Sequence, residues 1–417
     1  MKLRNYIFVT AAYWGFTLTD GALRMLVLLH FANLGYSPVQ LAFLFLFYEF
    51  FGIVTNLIGG WIGSRMGLRV TLLGGLILQV AALGLLAQLN PAWPREWSVI
   101  YVMLMQSLSG IAKDLTKMSS KSVIKVLVPE DAKGTLFKWV AILTGSKNAL
   151  KGVGFFIGGF LLHAAGYAGA LWWMAGGLFV VWAGSWFVLP PDMGLTRKKV
   201  GFRQIFSKTR EINILSGARF FLFGARDIWF VVGVPVFLEG TLKWSFSQVG
   251  AFMALWVIGY GIVQSSAPVF WRSHAPAGAA AAGTAFLLAG AAAAIPLSLT
   301  WGLSPSVGII GGLALFGIVF ALNSAVHSYL ILDYTDGDKV ALNVGFYYMA
   351  NAGGRLVGCL LSGMLFEWAG LQGCLWGTFV FALIAALIAL GLPRQIVHPG
   401  LLATARVKAG DGDRPTL

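Results

Sequence analysis

Ala165-Gly166-Tyr167-Ala168-Gly169-Ala170-Leu171-Trp172 returns as Ala369-Gly370-Leu371-Gln372-Gly373-Cys374-Leu375-Trp376, the same Ala-Gly-x-x-Gly-x-Leu-Trp pattern met twice. Extended without a gap, that register sets Lys151 opposite Arg355 and Gly159 opposite Gly363. A weaker correspondence sets Asp20 to Arg24 against Arg226-Asp227, each followed by an aromatic-Ser pair, Tyr36-Ser37 and Phe246-Ser247. Likeness between halves of a chain is the mark of a duplicated architecture. In a membrane protein it places a substrate site near the midplane, between the repeats.

The composition says that this is a membrane protein. Of 417 residues 58% are hydrophobic and only 11% charged, against about 25% charged in soluble domains; the mean hydropathy is +0.78. Apolar segments fall at 6–33, 38–63, 70–89, 97–118, 135–162, 168–189, 212–239, 246–270, 278–300, 305–332, 341–367 and 372–392. Each is long enough to cross a hydrocarbon core about 30 Å thick. The run from Tyr6 is too long for a signal-peptide core and is read as a retained first span. Pro190-Pro191 ends the sixth. The predicted fold is therefore an all-α membrane protein of twelve transmembrane helices in two pseudo-symmetric six-helix halves. Its predicted parts are 1–190, a basic linker 191–210, a second half 211–393 and a polar tail 394–417, with no apolar period, that reads as disordered. The 53 glycines suit helices that approach closely in lipid.

A net charge of +14 would point to nucleic acid in a soluble protein. Here it sorts by topology. Lys2, Arg4, Arg65, Arg69, Lys121, Lys125, Lys133, Arg197, Lys198, Lys199, Arg203, Lys208, Arg210, Arg272, Lys339, Arg394, Arg406, Lys408 and Arg414 fall in alternate loops or at the termini, and the remaining loops hold Arg95 and Lys243. The positive-inside rule puts the basic loops and both termini in the cytoplasm, and the partner of such a chain is the lipid bilayer, not nucleic acid. Cys359 and Cys374 suggest neither a metal pattern nor a disulfide framework. The five histidines lack metal-ligand spacing. No phosphate-binding Gly-Lys-Ser/Thr loop is present and no nucleophile constellation stands out, so neither an enzyme, a cofactor, a metal nor ATP drive is expected.

The charges inside the apolar segments are the functional signal. A cation at the centre of a membrane helix costs about 2.5–3.5 kcal/mol on insertion scales, and such residues usually face a wet cavity. Lys113, Lys117, Lys121 and Lys125 are four apart and share one helix face, as do Lys147 and Lys151; Lys138 lies off that face, nearer the cytoplasm. Lys121 and Lys125 are expected at the cytoplasmic surface. Arg24, Arg219, Arg226 and Arg355 are buried, and Asp20, Glu49, Asp114 and Asp227 are the acidic company. Asp20 and Arg24 can pair along one helix; Asp114 and Asp227 are expected to find partners on other helices. The positive surplus suits a polyanionic substrate, since Arg grips oxyanions in two places and Lys acts as a point charge. Internal pairing or snorkelling would explain part of the set.

Two motifs and four spans carry a family resemblance. Gly60, Arg65, Gly67 and Arg69 in Gly59-Gly60-Trp61-Ile62-Gly63-Ser64-Arg65-Met66-Gly67-Leu68-Arg69 resemble the loop signature of the major facilitator superfamily, with Ser64 at the family's Asp position and Leu68 at a basic one. Gly154-Phe155-Phe156-Ile157-Gly158-Gly159 is similar to that superfamily's antiporter signature, with Phe155 in place of Pro; the same glycines would serve helix packing. Thr17-Leu18-Thr19-Asp20-Gly21-Ala22-Leu23-Arg24-Met25-Leu26, Phe47-Tyr48-Glu49-Phe50-Phe51-Gly52, Ser109-Gly110-Ile111-Ala112-Lys113-Asp114-Leu115 and Lys138-Trp139-Val140-Ala141-Ile142-Leu143-Thr144-Gly145-Ser146-Lys147-Asn148 resemble the ArsJ organoarsenical efflux permeases.

That resemblance implies an exporter in the bacterial inner membrane that confers arsenate resistance. Its cargo would be 1-arseno-3-phosphoglycerate, made by glyceraldehyde-3-phosphate dehydrogenase, its functional partner. Arg24, Lys147, Lys151, Arg226 and Arg355 would hold the anion, Lys113 and Lys117 would draw it in, and Asp20, Asp114 and Asp227 would be coupling or salt-bridge partners. An organophosphate or phosphate antiporter with the same cationic cavity, and a receptor or scaffold on a transporter fold, are the alternatives.

Overall fold

The structure is a computed structural model that describes residues 2–36, 44–129, 132–193, 209–271, 275–335 and 339–394. Most of the basic linker and nearly all of the polar tail lie outside the described residues. Among those described, eleven α-helices follow in order. These are α1 (Lys2–Asn33), α2 (Leu46–Met66), α3 (Leu68–Leu86), α4 (Arg95–Leu127), α5 (Lys133–Val188), α6 (Arg210–Ile228), α7 (Val234–Gly240), α8 (Phe246–Phe270), α9 (Gly278–Thr300), α10 (Pro305–Asp333) and α11 (Val340–Ala389).

Among the described residues, eight segments are long and apolar enough to cross a membrane, α6 and α7 counting as one. Two of these are too long for one crossing. At 1.5 Å per residue, the 56 residues of α5 and the 50 of α11 would each run well over twice the hydrocarbon thickness. Each instead breaks at the repeated glycine: Gly166 has φ 68° and ψ −178°, Gly370 φ 61° and ψ −154°. Only glycine enters that region without strain, so the repeat quoted above is the reversal between two antiparallel spans, made twice. With α1 and α4, which are as long but carry more charge, twelve passes result. Gly370→Ala is expected to cost about 1–3 kcal/mol through backbone strain. It should lower the thermal unfolding temperature in detergent, while Ala at Gly363, where a Cβ meets nothing within 4 Å, should not.

Between α6 and α7 the chain makes a π turn over Trp229–Gly233. Pro235 stands just beyond it. Its ring and missing N–H cannot continue an α-helix, and the wider turn absorbs the mismatch. The amides of Val232 and Gly233 donate to the Ser362 hydroxyl on α11, at 3.2 and 3.3 Å.

The two halves pack alike. In the first, α1 lies against α5; in the second, α6 lies against α11. Both seams are made by glycines. A Cβ on Gly154 would sit 2.6 Å from the Leu18 carbonyl, and one on Gly358 would sit 2.7 Å from that of Gly224. Across the halves, α2 meets α11 and α5 meets α8, which are equivalent contacts under the repeat. One apolar cluster spans both halves. It joins Met118, Ile124, Phe137 and Leu143 to Leu215, Val326, Tyr329, Val344 and Tyr348, all towards the end of the bundle that carries the basic loops. Lys133 and Asp333 form an ion pair of 3.0 Å between halves at that end. The cluster around Leu23, Leu26 and Phe31 belongs to the first half alone, and the cluster around Trp229, Trp256 and Phe316 to the second.

Candidate functional site

The fold brings Asp20 and Arg24 of α1, Tyr48 and Glu49 of α2, Lys113, Asp114, Lys117 and Lys121 of α4, and Lys147 and Lys151 of α5 towards Arg219, Arg226 and Asp227 of α6 and Tyr347, Tyr348 and Arg355 of α11. α4 reaches the centre because its inward face is polar: Gln106, Ser109, Asp114, Thr116, Ser119, Ser120, Lys121 and Ser122 are all buried.

Nine of the ten charged residues picked out from the sequence form ion pairs: seven join one network through Glu49, and Asp20 and Lys151 make a separate pair beside it. In the first half Lys151 is 3.3 Å from Asp20, which also accepts from the Tyr48 hydroxyl. In the second half Arg355 is 3.0 Å from Asp227. These two pairs occupy equivalent places, a carboxylate on the first helix of a half against a cation on its fifth. The Lys151–Arg355 correspondence in the sequence is thus a correspondence of ion pairs. Glu49 joins the halves. It accepts from Arg24 at 2.9 Å and from Arg355 at 2.7 Å, with Lys113 3.6 Å away. Asp114 is held by Lys117 and, at 3.7 Å, by Lys113.

Two expectations are corrected. Asp20 does not pair with Arg24 one turn along; the interhelical partners Lys151 and Glu49 take them instead. Same-helix and adjacent residues do meet. Asp114, expected to find a partner on another helix, is ion-paired among the described residues only with Lys113 and Lys117 of its own. Arg226 Nε donates to Asp227 at 2.6 Å, although Asp227 also has Arg355 on α11. In both cases a long stem can curl across a helix face that Cβ positions alone would keep apart. A third difference concerns depth. Lys121 is not at the surface but 2% exposed, its Nζ 3.3 Å from the Ser328 hydroxyl. Lys138 is exposed.

Cations stand in front of carboxylates. The side chains of Arg24, Arg355, Arg226 and Lys151 are 31, 20, 17 and 16% exposed and those of Asp20, Asp114 and Asp227 only 4, 1 and 1%, while Glu49, at 11%, lies level with Lys113 and Lys117 at 12 and 13%. The face offered to an incoming molecule is therefore positive, with its counter-charges behind. Aromatic rings line it. Lys113 lies 3.8 Å from the centroid of Tyr48, and Lys117 and Lys121 lie 4.3 and 5.0 Å from that of Tyr348. Such contacts soften the cost of a desolvated cation.

Three central cations stand outside these ion pairs. Among the described residues no carboxylate lies within 4.0 Å of Lys121, Lys147 or Arg219. Arg219 is 2% exposed, lies over Phe223 at 3.9 Å and donates to the Ser324 hydroxyl at 3.1 Å. Lys147 donates to Asn148, which donates to Gln264, which donates to the same Ser324. Among the described residues nine central basic side chains thus face four carboxylates, Asp20, Glu49, Asp114 and Asp227, a formal excess of five. Glu49 as the hub and Arg219 as a site residue are absent from the sequence-based site. The signal for the first was a single carboxylate inside an otherwise apolar segment.

The glycines of the fifth span show their packing role. Gly154 and Gly158 abut the α1 backbone at Leu18 and Ala22. In the other signature, Gly67 turns the chain at φ 90°, and Arg69 donates to the Trp186 carbonyl at 2.6 Å while lying over its ring.

Comparison with known proteins fits this architecture. Residues 7–307 match the sequence pattern of the Major Facilitator Superfamily. No curated protein matches the chain. Among solved structures, the proton:xylose symporter XylE bound to 6-bromo-6-deoxy-D-glucose superposes with a TM-score of 0.76 at 13% identity, over 93% of this chain and 94% of that one. The human organic anion transporter TETRAN gives 0.71 at 16%, over 93% and 99%. A bacterial homologue of the iron transporter ferroportin, in an outward-facing state, gives 0.70 at 15%, over 92% and 98%. At such identities the likeness is one of fold.

Proposed function

Because the chain belongs to the Major Facilitator Superfamily, we propose that it is a secondary transporter of a small polyanion and exports 1-arseno-3-phosphoglycerate from the cytoplasm by alternating access. The observation that carries this reading is the surplus of buried cations, with carboxylates behind them. A buried charge without a partner is expensive, and a multiply charged anion is the chemistry that would complete it. The structural neighbours carry unlike cargoes, a sugar, organic anions and iron by their descriptions, so the cargo is argued from this chain's own lining.

The arsenylated ester is the choice that agrees with the family resemblance in the first half. It bears an arsenate and a phosphate group, and both suit guanidinium and ammonium donors. Trivalent arsenic, which needs soft thiolate ligands, is poorly served by Cys359 and Cys374. In this reading the chain lies in the bacterial inner membrane with its basic loops and both termini in the cytoplasm, and glyceraldehyde-3-phosphate dehydrogenase supplies the cargo. The cationic lining favours a second reading equally in one respect: it has no feature that separates arsenate from phosphate, so an organophosphate or phosphate antiporter would use it too.

Transport into inverted vesicles, arsenylated ester against plain phosphoglycerate, separates the two. Faster uptake of the former is expected, and equal rates would favour the exchanger. Lys147→Ala removes a cation with no carboxylate partner. If its bond to the cargo is an ordinary charge-assisted one, worth about 1.5–3 kcal/mol, apparent affinity should fall roughly 10- to 100-fold, with membrane abundance unchanged. Arsenate resistance in cells reports the same loss.

A further inference from the structure

The central cations form two tiers. The tier of Arg24, Lys113, Lys151, Arg226 and Arg355 is tied to Asp20, Glu49, Asp114 and Asp227. The other lies towards the basic end. Lys121 follows Lys113 on α4 by eight residues, and Arg219 precedes Arg226 on α6 by seven, so the tiers are separated by roughly 10 Å along the bundle. Lys117 lies between them.

The second tier converges on α10 and α11. Ser324 and Ser328 are one helical turn apart, and they receive Arg219 and Lys121 respectively. Ser324 also receives Tyr260 at 3.0 Å and the Asn148–Gln264 chain from Lys147. Tyr347 and Tyr348 close the opposite side, Arg219 lying 5.1 Å from the centroid of the first ring. The Arg219 Nε is buried without a hydrogen-bond partner. So is the amide nitrogen of Asn351, one turn from Tyr347 and one from Arg355 on α11.

A lysine in such surroundings can lose its proton. An arginine cannot, because its guanidinium stays protonated in proteins. Hydroxyls and rings moderate its charge but do not neutralise it, and two lysine side chains, which an arriving anion would hold protonated, bear on the same place. Only a bound anion removes the deficit. We propose that Lys121, Lys147 and Arg219 are a distinct subsite for a tetrahedral oxyanion group, phosphate or arsenate in kind. It rests on the transport reading for its purpose, as the place where one charged end of the cargo is held, but not for its existence.

The test measures binding and stability, not transport. The full-length protein in detergent is unfolded thermally with and without inorganic phosphate, sodium chloride holding the ionic strength equal. The wild type is expected to be stabilised by phosphate. Arg219→Gln should weaken phosphate binding at least tenfold and, in the absence of anion, unfold at a higher temperature than wild type, because it removes an uncompensated buried charge. Lys121→Met should behave in the same way and guards against a local fault of one variant. Lys138→Gln, an exposed position, should match the wild type in both respects. Phosphate stabilisation that is missing in the wild type, or retained in both Arg219→Gln and Lys121→Met, overturns the subsite. So does a lower anion-free unfolding temperature in both variants. A protein that binds phosphate in this way yet moves neither ester in vesicles would sink the transport reading and leave the subsite standing.

Discussion

Glu49→Gln should be the most damaging single change in the ionic network. It leaves the shape of the side chain intact and withdraws one negative charge from among Arg24, Lys113 and Arg355. Breaking a buried pair by removing one partner costs about 3–5 kcal/mol. The lower end applies here, because Arg24 is 31% exposed and partly screened. The loss should be read as a lower unfolding temperature in detergent. Transport should fall further than stability alone requires, because Glu49 holds cations of both halves: Arg24 on α1 and Arg355 on α11. An unfolding temperature equal to the wild type's would mean that the three cations are neutralised elsewhere, and the network described here would be wrong at its centre.

Gly158→Ala should be among the most damaging changes outside it. A Cβ there would run into the Ala22 carbonyl of α1, with the Ala22 Cα 2.9 Å away. Backbone cannot rotate aside as a side chain does, so α1 and α5 must part. Overpacking costs about 1–3 kcal/mol and occasionally more. The seam also sets the reach of Lys151, two turns before Gly158 on α5, to Asp20, two residues before Ala22 on α1, so transport should fall with stability. Gly159→Ala is the companion measurement. Its Cβ would meet only Leu29 Cδ1, at 3.7 Å, and the variant should be close to wild type. Equal damage from the two would mean that the glycines act through something other than packing, and the antiporter resemblance of the motif would gain weight.

Much of the architecture was legible because lipid imposes a plain code. Apolar length marks a span, and the Ala-Gly-x-x-Gly-x-Leu-Trp repeat marks where two halves correspond. That repeat carries its own physical explanation, since Gly166 and Gly370 hold a backbone conformation that other residues resist. It also led correctly from Lys151 to Arg355 as equivalent positions. The pairings were not legible. Asp20 and Arg24 satisfy the one-turn rule along α1, yet each is drawn to a neighbouring helix, and the distance between helices is set by glycine seams that no local rule describes. The depth of Lys121 is hidden from the sequence for a related reason. Its spacing from Lys125 suggests a basic helix end, but α10 covers that end with Ser328, and the contact joins residues 207 apart in sequence. Arg219 is embedded among aromatic residues of α6 and α11, and in sequence it looks like one more cation in an apolar run.

The order of charges, cations forward and carboxylates behind, bears on how such a site lets go of what it binds. Glu49 and Asp227 already hold the arginine that an anion would seek. They act as resident competitors, so an arriving oxyanion gains only the difference between its own bonds and theirs. Affinity is discounted by that much. In return, the arginine has somewhere to go when the ligand leaves, and departure need not strand a bare charge in the low-dielectric interior. A site with the same cations and no carboxylates would bind more tightly and turn over more slowly. For a carrier, whose rate depends on release as much as on capture, the carboxylates are the part that keeps the site from becoming a trap.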